Sequence, residues 1–535
     1  MKIKIKNLDV ELNDERNLTE IAAAYLKVDV KKIRTLKIIR QAIDARRYRG
    51  AGIKFNYIVE VEVDAKINFS RDKNIEKVLA KKIIERVKLP RTLKNIRPAV
   101  IGFGPAGMFA ALTLARAGLE PIIFERGGDV DSRTAAVKKF FNTGELDENS
   151  NVQFGEGGAG TFSDGKLTTR LNDSLTDFVL ETFVEAGAPA EILYLHKPHI
   201  GTDNLRKVVK NIRQEILNLG GKIYFNSQVT DLEFSSGKVT AAIVNGAERF
   251  SVDAIFLGVG HSARDTYEML NRHGVAMESK AFAVGVRIEH PQEFINRAQY
   301  GADFQNLKLP VADYFLTYKD SSGRGAYSFC MCPGGQVVAA TSENFQVVTN
   351  GMSNFARNSG VANSALLVTV DKADFKNFGG DILSGVRFQR HFEKLAFELG
   401  GKNFSAPVQS VGDFLNGRAD CQNFLVNPTY PLGYKISDLN KCLPAEVAKT
   451  LKNALIFWND KIKNFAAPNV PITGVETRTS APCRILRDKE NFQSISHAGI
   501  YPVGEGAGYA GGIMSSAVDG VKSAREFLKL TITPH

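Results

Sequence analysis

Gly102, Gly104 and Gly107 stand in a Gly-x-Gly-x-x-Gly turn, and Glu125 follows 23 residues after the first of them. These types at this spacing are suited to gripping a dinucleotide. Gly102 permits a tight turn, Gly104 lets the backbone approach a pyrophosphate, and Gly107 lets a helix pack closely on a strand. Pro105 and Ala106 lie within the turn, ahead of a helix whose free N–H groups and positive dipole end face the phosphates. Glu125 has the reach to accept hydrogen bonds from ribose hydroxyls, and Arg126 follows it.

The elements needed to hold such a turn are legible around it. Ala99-Val100-Ile101 reads as a short apolar strand, Met108 to Ala117 as a helix, Gly118 as its stop, and Ile122-Ile123-Phe124 as the next strand. A lone glycine turn is weak evidence; a strand before it, a helix after it and an acid at the right distance make the dinucleotide reading specific.

A second glycine-rich run, Gln153 to Lys166, contains Gly157, Gly158, Ser163 and Lys166. Gly160 to Lys166 nearly spells a P-loop, but Leu167 stands where a Mg²⁺-ligating Ser or Thr belongs, and no apolar strand precedes it. ATP hydrolysis is therefore excluded, and the run is expected to wrap a cofactor, with a mobile surface loop as the alternative. Val229 to Gly260 reads as a strand meander with turns at Ser236-Gly237 and Asn245-Gly246, its last run being Ala254 to Leu257 ahead of Gly260 and His261. Late in the chain, Gly499 to Gly506 forms another strand and turn carrying Gly504 and Glu505. Gly511, Gly512 and Ile513 then open a last helix whose N-terminus could hold negative charge.

Other chemistries lack their residues. The five cysteines include no Cys-x-x-Cys, so neither a disulfide framework nor a zinc site is expected. Cys330-Met331-Cys332 places two thiols on one face of an expected strand, where a redox pair competes with small core side chains. The eight histidines show no metal-binding spacing; His196 and His199 fall in a loop, and no metal is expected. A Ser-His-Asp triad has no nucleophile elbow to rest on. Glu476 and Arg478, on a strand expected to pass the cofactor, are the candidates for substrate orientation or proton transfer, with a surface ion pair as the alternative.

Taken together, the fingerprint ending in Glu-Arg-Gly, the meander, the strand ending at Gly260 and the late Gly504-Glu505 turn resemble FAD-binding domains of the glutathione-reductase type. More narrowly, Asn151 to Lys166, His199 to Asp203, Gly260 to Asp265, Tyr327 to Gly335, Gly474 to Pro482 and Tyr501 to Met514 are similar to a bacterial family usually labelled NAD(FAD)-utilising dehydrogenases or uncharacterised FAD-dependent proteins. The resemblance implies FAD as cofactor. It implies that Glu125 holds the adenosine ribose, that Val229 pairs its backbone with adenine, and that Glu505 replaces the usual Asp beside the ribityl chain. Gly511, Gly512 and Ile513 would lie beneath the flavin pyrimidine edge. The Cys-x4-Cys pair of disulfide reductases is missing, as is a second complete fingerprint. NAD(P)H, as a transient donor, would have to visit a shared flavin pocket.

The fold expected is α/β. A Rossmann-type FAD-binding domain over 98–280 and 474–535 carries an inserted α+β substrate domain over 281–473. A small basic ferredoxin-like α+β domain over 1–97 precedes them. In the insertion, Ala283 to Glu289 reads as a strand with charges alternating outward, and Tyr327 to Gly335 and Val337 to Ala340 as further strands that could roof the flavin. Residues 1–97 are read as strand-helix-strand-strand-helix, the second helix running through Ile75, Val78, Leu79, Ile83 and Val87.

Composition sets the remaining bounds. The chain has 535 residues, 44% hydrophobic and 24% charged, as an ordinary globular protein does. No run approaches the roughly 18 apolar residues of a membrane span, and the start lacks a signal-peptide core, so a cytoplasmic protein without membrane attachment is expected. Of the formal charge of +11, residues 1–97 hold 25 basic and 13 acidic residues, and the rest of the chain is nearly balanced. The densest run, residues 31–49, could neutralise phosphates on a nucleic acid or could be a solvated face. The principal expectation is a flavin oxidoreductase acting on a small molecule. The alternative is an RNA-associated flavoprotein recruited through that basic domain.

Overall fold

Alternating Lys and Ile from Lys2 gives one strand a solvated and a buried face, and the partner it needs comes from residues 54–63. The computed structural model describes the chain except residues 47–51, 68–71, 79–95, 170, 172 and 533–535. Lys2–Glu11 pairs antiparallel with Lys54–Val63, which pairs with Ile33–Asp44, while Ile75–Lys77 lies on the other edge. The helix Leu18–Leu26, closed by a capping box between Asn17 and Glu20, packs Ile21, Ala22 and Leu26 onto Ile3, Ile5, Val59 and Val61. Ile75 belongs to a strand, a correction to the helix expected from there. Leu79, Ile83 and Val87 lie outside the described residues.

The basic run forms the edge strand Ile33–Asp44, and several of its charges are engaged locally. Arg34 pairs with Asp64 at 2.9 Å and Arg46 with Asp44 at 2.6 Å. Arg40 meets His196 Nδ1 at 2.9 Å, and Gln41 exchanges backbone hydrogen bonds with Tyr194 and His196. That strand edge is thereby joined to the loop before His199. Arg47 and Arg49 lie outside the described residues.

The strands Ile500–Pro502, Ala254–Leu257, Pro98–Ile101, Ile122–Phe124 and Lys222–Tyr224 form one parallel sheet in that order. Val100, Ile123 and Phe256 face the helices Pro105–Arg116, Thr202–Asn218 and Ile513–Ile532, while Ala99, Phe124 and Ile255 face the meander. Ala254–Leu257 is not the meander's third strand, as the sequence reading had it; Glu248–Ser251 is. All four residues of Ala254–Leu257 are apolar and buried, which suits a strand covered on both faces of a parallel sheet.

Residues 282–476 build a seven-stranded sheet. Its order is Thr317–Lys319, Gly325–Cys332, Val361–Val370, Phe282–Pro291, Pro471–Glu476, Ala406–Ser410 and Tyr434–Ile436. Gln336–Ala339 pairs instead with Thr349–Met352 in a separate ribbon. Phe282–Pro291 does not turn its charges to solvent. Arg287 and Glu289 are fully buried, because both faces of this central strand are covered and their partners come from neighbouring elements. Among the described residues, no helix is long and apolar enough to cross a membrane.

Candidate functional site

The fingerprint turn is built by close approach. A Cβ on Gly107 would lie 2.0 Å from the Gly102 carbonyl oxygen, and one on Gly102 (φ +90°) would lie 2.4 Å from that of Gly258. The helix Pro105–Arg116 begins at Gly104 with no side-chain cap, which leaves its first N–H groups for a ligand. Glu125, 4% exposed, accepts from the backbone N–H of Phe103 at 2.7 Å, Gly127 at 3.0 Å and Gly155 at 2.9 Å. A carboxylate offers about four acceptor positions, so roughly one remains for a ribose hydroxyl. Arg126 is spent on Asp265 at 2.9 Å and on the Phe154 ring.

The glycine-rich run is organised by a residue the sequence reading missed. Arg133, on the helix Val130–Thr143, is fully buried and donates to the carbonyls of Asn151, Val152, Gly155, Glu156 and Gly158 at 2.7–3.2 Å. Its only trace in the sequence is one arginine among small residues on a helix. Ser163 closes the loop locally, donating to the Gly160 carbonyl at 2.7 Å. Lys166 pairs with Asp164 at 3.1 Å and donates to the Met331 carbonyl, which ties the loop to the strand Gly325–Cys332.

One cavity of about 1130 Å³ joins these parts. That exceeds the roughly 300–1,000 Å³ of an ordinary small-ligand pocket. Its nucleotide end is lined by Gly102, Gly104, Pro105, Ala106, Glu125, Arg126 and Val229. Gly158, Ser163, Lys166, Gly260 and Glu505 line its middle, with Gly511, Gly512 and Ile513 at the last helix. Gly260, Gly511 and Gly512 have no heavy atom within 4 Å of where a Cβ would stand, so they present bare backbone. Gly107, Gly157 and Gly504 are not part of the lining. They serve packing instead: a Cβ on Gly157 would strike Thr161 Oγ1 at 2.1 Å, and one on Gly504 would strike Ala106 Cβ at 2.5 Å.

The seven-stranded sheet contributes Ser328, Phe329, Cys330 and Glu476 to the same cavity, and Arg478 lines it just beyond the end of the strand Pro471–Glu476. Glu476 and Arg478 are 3% and 5% exposed, so neither belongs to a surface ion pair. Glu476 binds Arg287 through both oxygens, at 2.5 and 3.0 Å. Burial pushes its carboxyl up while the Arg287 charge opposes this. Arg287 also donates to Asn363 at 2.7 Å and to Asn350 and the Cys330 carbonyl at 3.1 Å. The sequence carried one signal for it, an arginine within the otherwise apolar run Phe282–Ile288. Arg478 shares the buried Glu393 with Arg264.

Two further titrating groups face the cavity. Burial pushes the Glu505 carboxyl up to about 7, with Lys280 pulling the other way. Burial and then the Arg478 and Arg264 charges hold His261 down at about 3, so its imidazole is neutral. His199 stacks on Phe355 and bonds that residue's carbonyl at 3.1 Å. Among the described residues no cluster of His, Cys, Asp or Glu could hold a metal. The helix start, the bare glycine backbone and the open acceptor on Glu125 fit a long, pyrophosphate-containing group.

Comparison with known proteins agrees on that group. Residues 281–479 match the family model described as "FAD-dependent protein, C-terminal domain-like", and residues 2–62 match a domain of unknown function. An uncharacterized protein of Clostridium beijerinckii is 50% identical over 533 residues, 99% of each chain. Among solved structures, CtdE in complex with FAD is 13% identical with a TM-score of 0.32, covering 82% of this chain and 88% of its own. L-Proline dehydrogenase from P. horikoshii is 9% identical with a TM-score of 0.37, covering 82% and 94%. At that level of likeness nothing about this chain's chemistry follows from either structure.

Proposed function

On the premise that this chain belongs to one family with the clostridial protein and takes FAD as its cofactor, we propose that it is an oxidoreductase. It would transfer hydride through the bound flavin to or from a small molecule. The observation that carries the reading is the single cavity lined at one end by the fingerprint turn and at the other by buried polar residues of the seven-stranded sheet.

In this reading the arrangement is of the glutathione-reductase type. The free N–H groups at Gly104 to Ala106 would hold the pyrophosphate, and the open acceptor on Glu125 the adenosine ribose. Val229 would offer backbone to adenine, and Glu505 would stand beside the ribityl chain. The flavin supplies a two-electron acceptor and donor when bound. The N-terminus of Ile513–Ile532 would stabilise negative charge there through Gly511 and Gly512. Glu505, with its value near 7, would be able to donate or accept a proton at neutral pH. The Arg287–Glu476 pair would hold the roof over the ring, and neutral His261 would offer a hydrogen-bonding nitrogen without charge. Arg40, Leu193 and Phe315 at the outer wall would let a partly apolar substrate pass.

The test is anaerobic reduction of the flavin-loaded protein by NADH, NADPH and a panel of small amines, hydroxy acids and dihydro compounds. Prompt bleaching of the flavin band by at least one class is expected. A band that dithionite bleaches but that no class of donor touches, together with reduced flavin that no small acceptor reoxidises, would overturn turnover.

A further inference from the structure

Cys330 and Cys332 end the strand Gly325–Cys332, beside the cavity. The strand Gly325–Cys332 carries a bulge. Phe329 faces Ala365 and Cys332 faces Asn363, so three residue steps cover the ground of two on the partner strand. Two steps of an antiparallel strand span roughly 6.8 Å. Residues two apart on a strand are therefore at the upper edge of the usual disulfide range of about 4.4–6.8 Å between Cα atoms, and a bulge shortens that span. Cys330 has a left-handed φ of 42°, unusual for a non-glycine residue. The Cys332 thiol donates to the Cys330 carbonyl at 3.2 Å. Cys330 lines the flavin cavity, and Cys332 is buried behind it.

The bulge is held by the buried Arg287 and the half-buried Lys166. Arg287 donates to the Cys330 carbonyl at 3.1 Å, and Lys166 donates to that of Met331. The neighbouring Cys332 thiol first, and then the Lys166 and Arg287 charges, hold the Cys330 thiol below its ordinary value against its burial, whereas Cys332 is pushed well up. An accessible, electropositive thiol beside a buried protonated one has the asymmetry of an attacking and a resolving pair. Both thiols are free, and among the described residues no metal-binding cluster includes them.

We propose that Cys330 and Cys332 form a redox-active dithiol that exchanges two electrons with the flavin of this same site, an inference that rests on the flavin reading above. In the oxidising direction the two thiols lose two protons and two electrons, and one S–S bond forms between them. The electron pair and one proton reduce the oxidised flavin, and the second proton passes to a neighbouring carboxylate, Glu505 or Glu476, or to water. In the other direction reduced flavin returns the pair, the S–S bond breaks and both thiols are regenerated. No oxidant beyond the flavin is required. The protein would store two electron pairs and could pass one of them to a disulfide substrate by exchange at Cys330.

The full-length, FAD-loaded, air-oxidised protein decides this by anaerobic dithionite titration, with mass analysis of the tryptic peptide Gly325–Arg357, which contains no other cysteine. Uptake of about four electrons per flavin is expected in the native protein and about two in Cys330→Ser and Cys332→Ser, since each couple takes two. The oxidised peptide should lack two hydrogens relative to the reduced one. Uptake of about two electrons by the native protein, with the flavin band intact, overturns the dithiol and leaves the flavin reading standing. A protein that binds no flavin overturns both. Should the serine variants fail to fold, the native peptide still decides: both thiols free in the air-oxidised holoprotein overturns the proposal.

Discussion

Glu125 joins the fingerprint turn to the glycine-rich run, so its loss should be felt in two places. Its carboxylate accepts from three backbone N–H groups, those of Phe103, Gly127 and Gly155. Each buried donor left without a partner costs roughly 1–3 kcal/mol, so Glu125→Ala exposes about 3–9 kcal/mol of unmet hydrogen bonding. Water from the cavity will satisfy part of it, which places the expected loss near the lower end, about 3 kcal/mol. If that cost falls on the FAD-competent loop, affinity drops roughly 100-fold, at about 1.4 kcal/mol per decade. Glu125→Gln is the finer perturbation. Its single carbonyl can still serve Gly127 and Gly155, which share one oxygen, but its NH₂ would then oppose the Phe103 N–H. About 1–3 kcal/mol is expected for that one opposed donor, or roughly a tenfold loss. FAD titration by fluorescence quenching and thermal midpoints with and without FAD measure both. A Glu125→Ala protein that binds FAD within about threefold of the native one, with an unchanged midpoint, would show that the three acceptor bonds of Glu125 do not hold the FAD-competent loop.

Three further outcomes follow from the same geometry. Gly107→Ala places a methyl 2.0 Å from the Gly102 carbonyl and should cost roughly 1–3 kcal/mol with or without FAD; Gly512→Ala meets no protein atom and should lower the thermal midpoint only through weaker FAD binding. Arg133→Ala removes the donor shared by five loop carbonyls, and limited proteolysis should find new cleavage between Asn151 and Gly158 with loss of bound FAD. For Glu505 the folded value, near 7, is raised above the ordinary 4.5. The unfolded chain therefore releases its proton first, and the FAD-free protein loses stability as pH rises from about 4.5 to 7. Glu505→Gln removes that slope, so its stability advantage over the native protein should grow by up to about 3 kcal/mol between pH 5 and 8, read as thermal midpoints.

What could be read from the sequence was what local chemistry dictates. Gly102, Gly107 and Gly118 are required by positive φ or close approach, and a turn so constrained announces itself whatever surrounds it. The turns at Ser236 and Asn245 were legible for the same reason, with φ of 49° at each. The strand at 254–257 was misassigned because an apolar run between turns looks alike in a meander and a parallel sheet; only its pairing with Pro98–Ile101 separates them. Period-two alternation assumes one solvated face and so turns Arg287 and Glu289 outward, whereas here the second face is covered and both are buried. The partners of Glu476, Arg478 and Arg133 come from 18 to 189 residues away, and no spacing rule reaches that far. The glycines divided into cavity lining and packing only once the neighbours of each Cα were known.

The claim on which all of this depends is that the cavity holds FAD. The direct measurement is the visible spectrum of the purified full-length protein, followed by release and identification of any bound chromophore and by titration of the stripped protein with FAD. A flavin band, FAD as the released species, and recovery of the band on reconstitution in the native protein but not in Glu125→Ala at the same FAD concentration are expected. A colourless protein that takes up no FAD would contradict the claim.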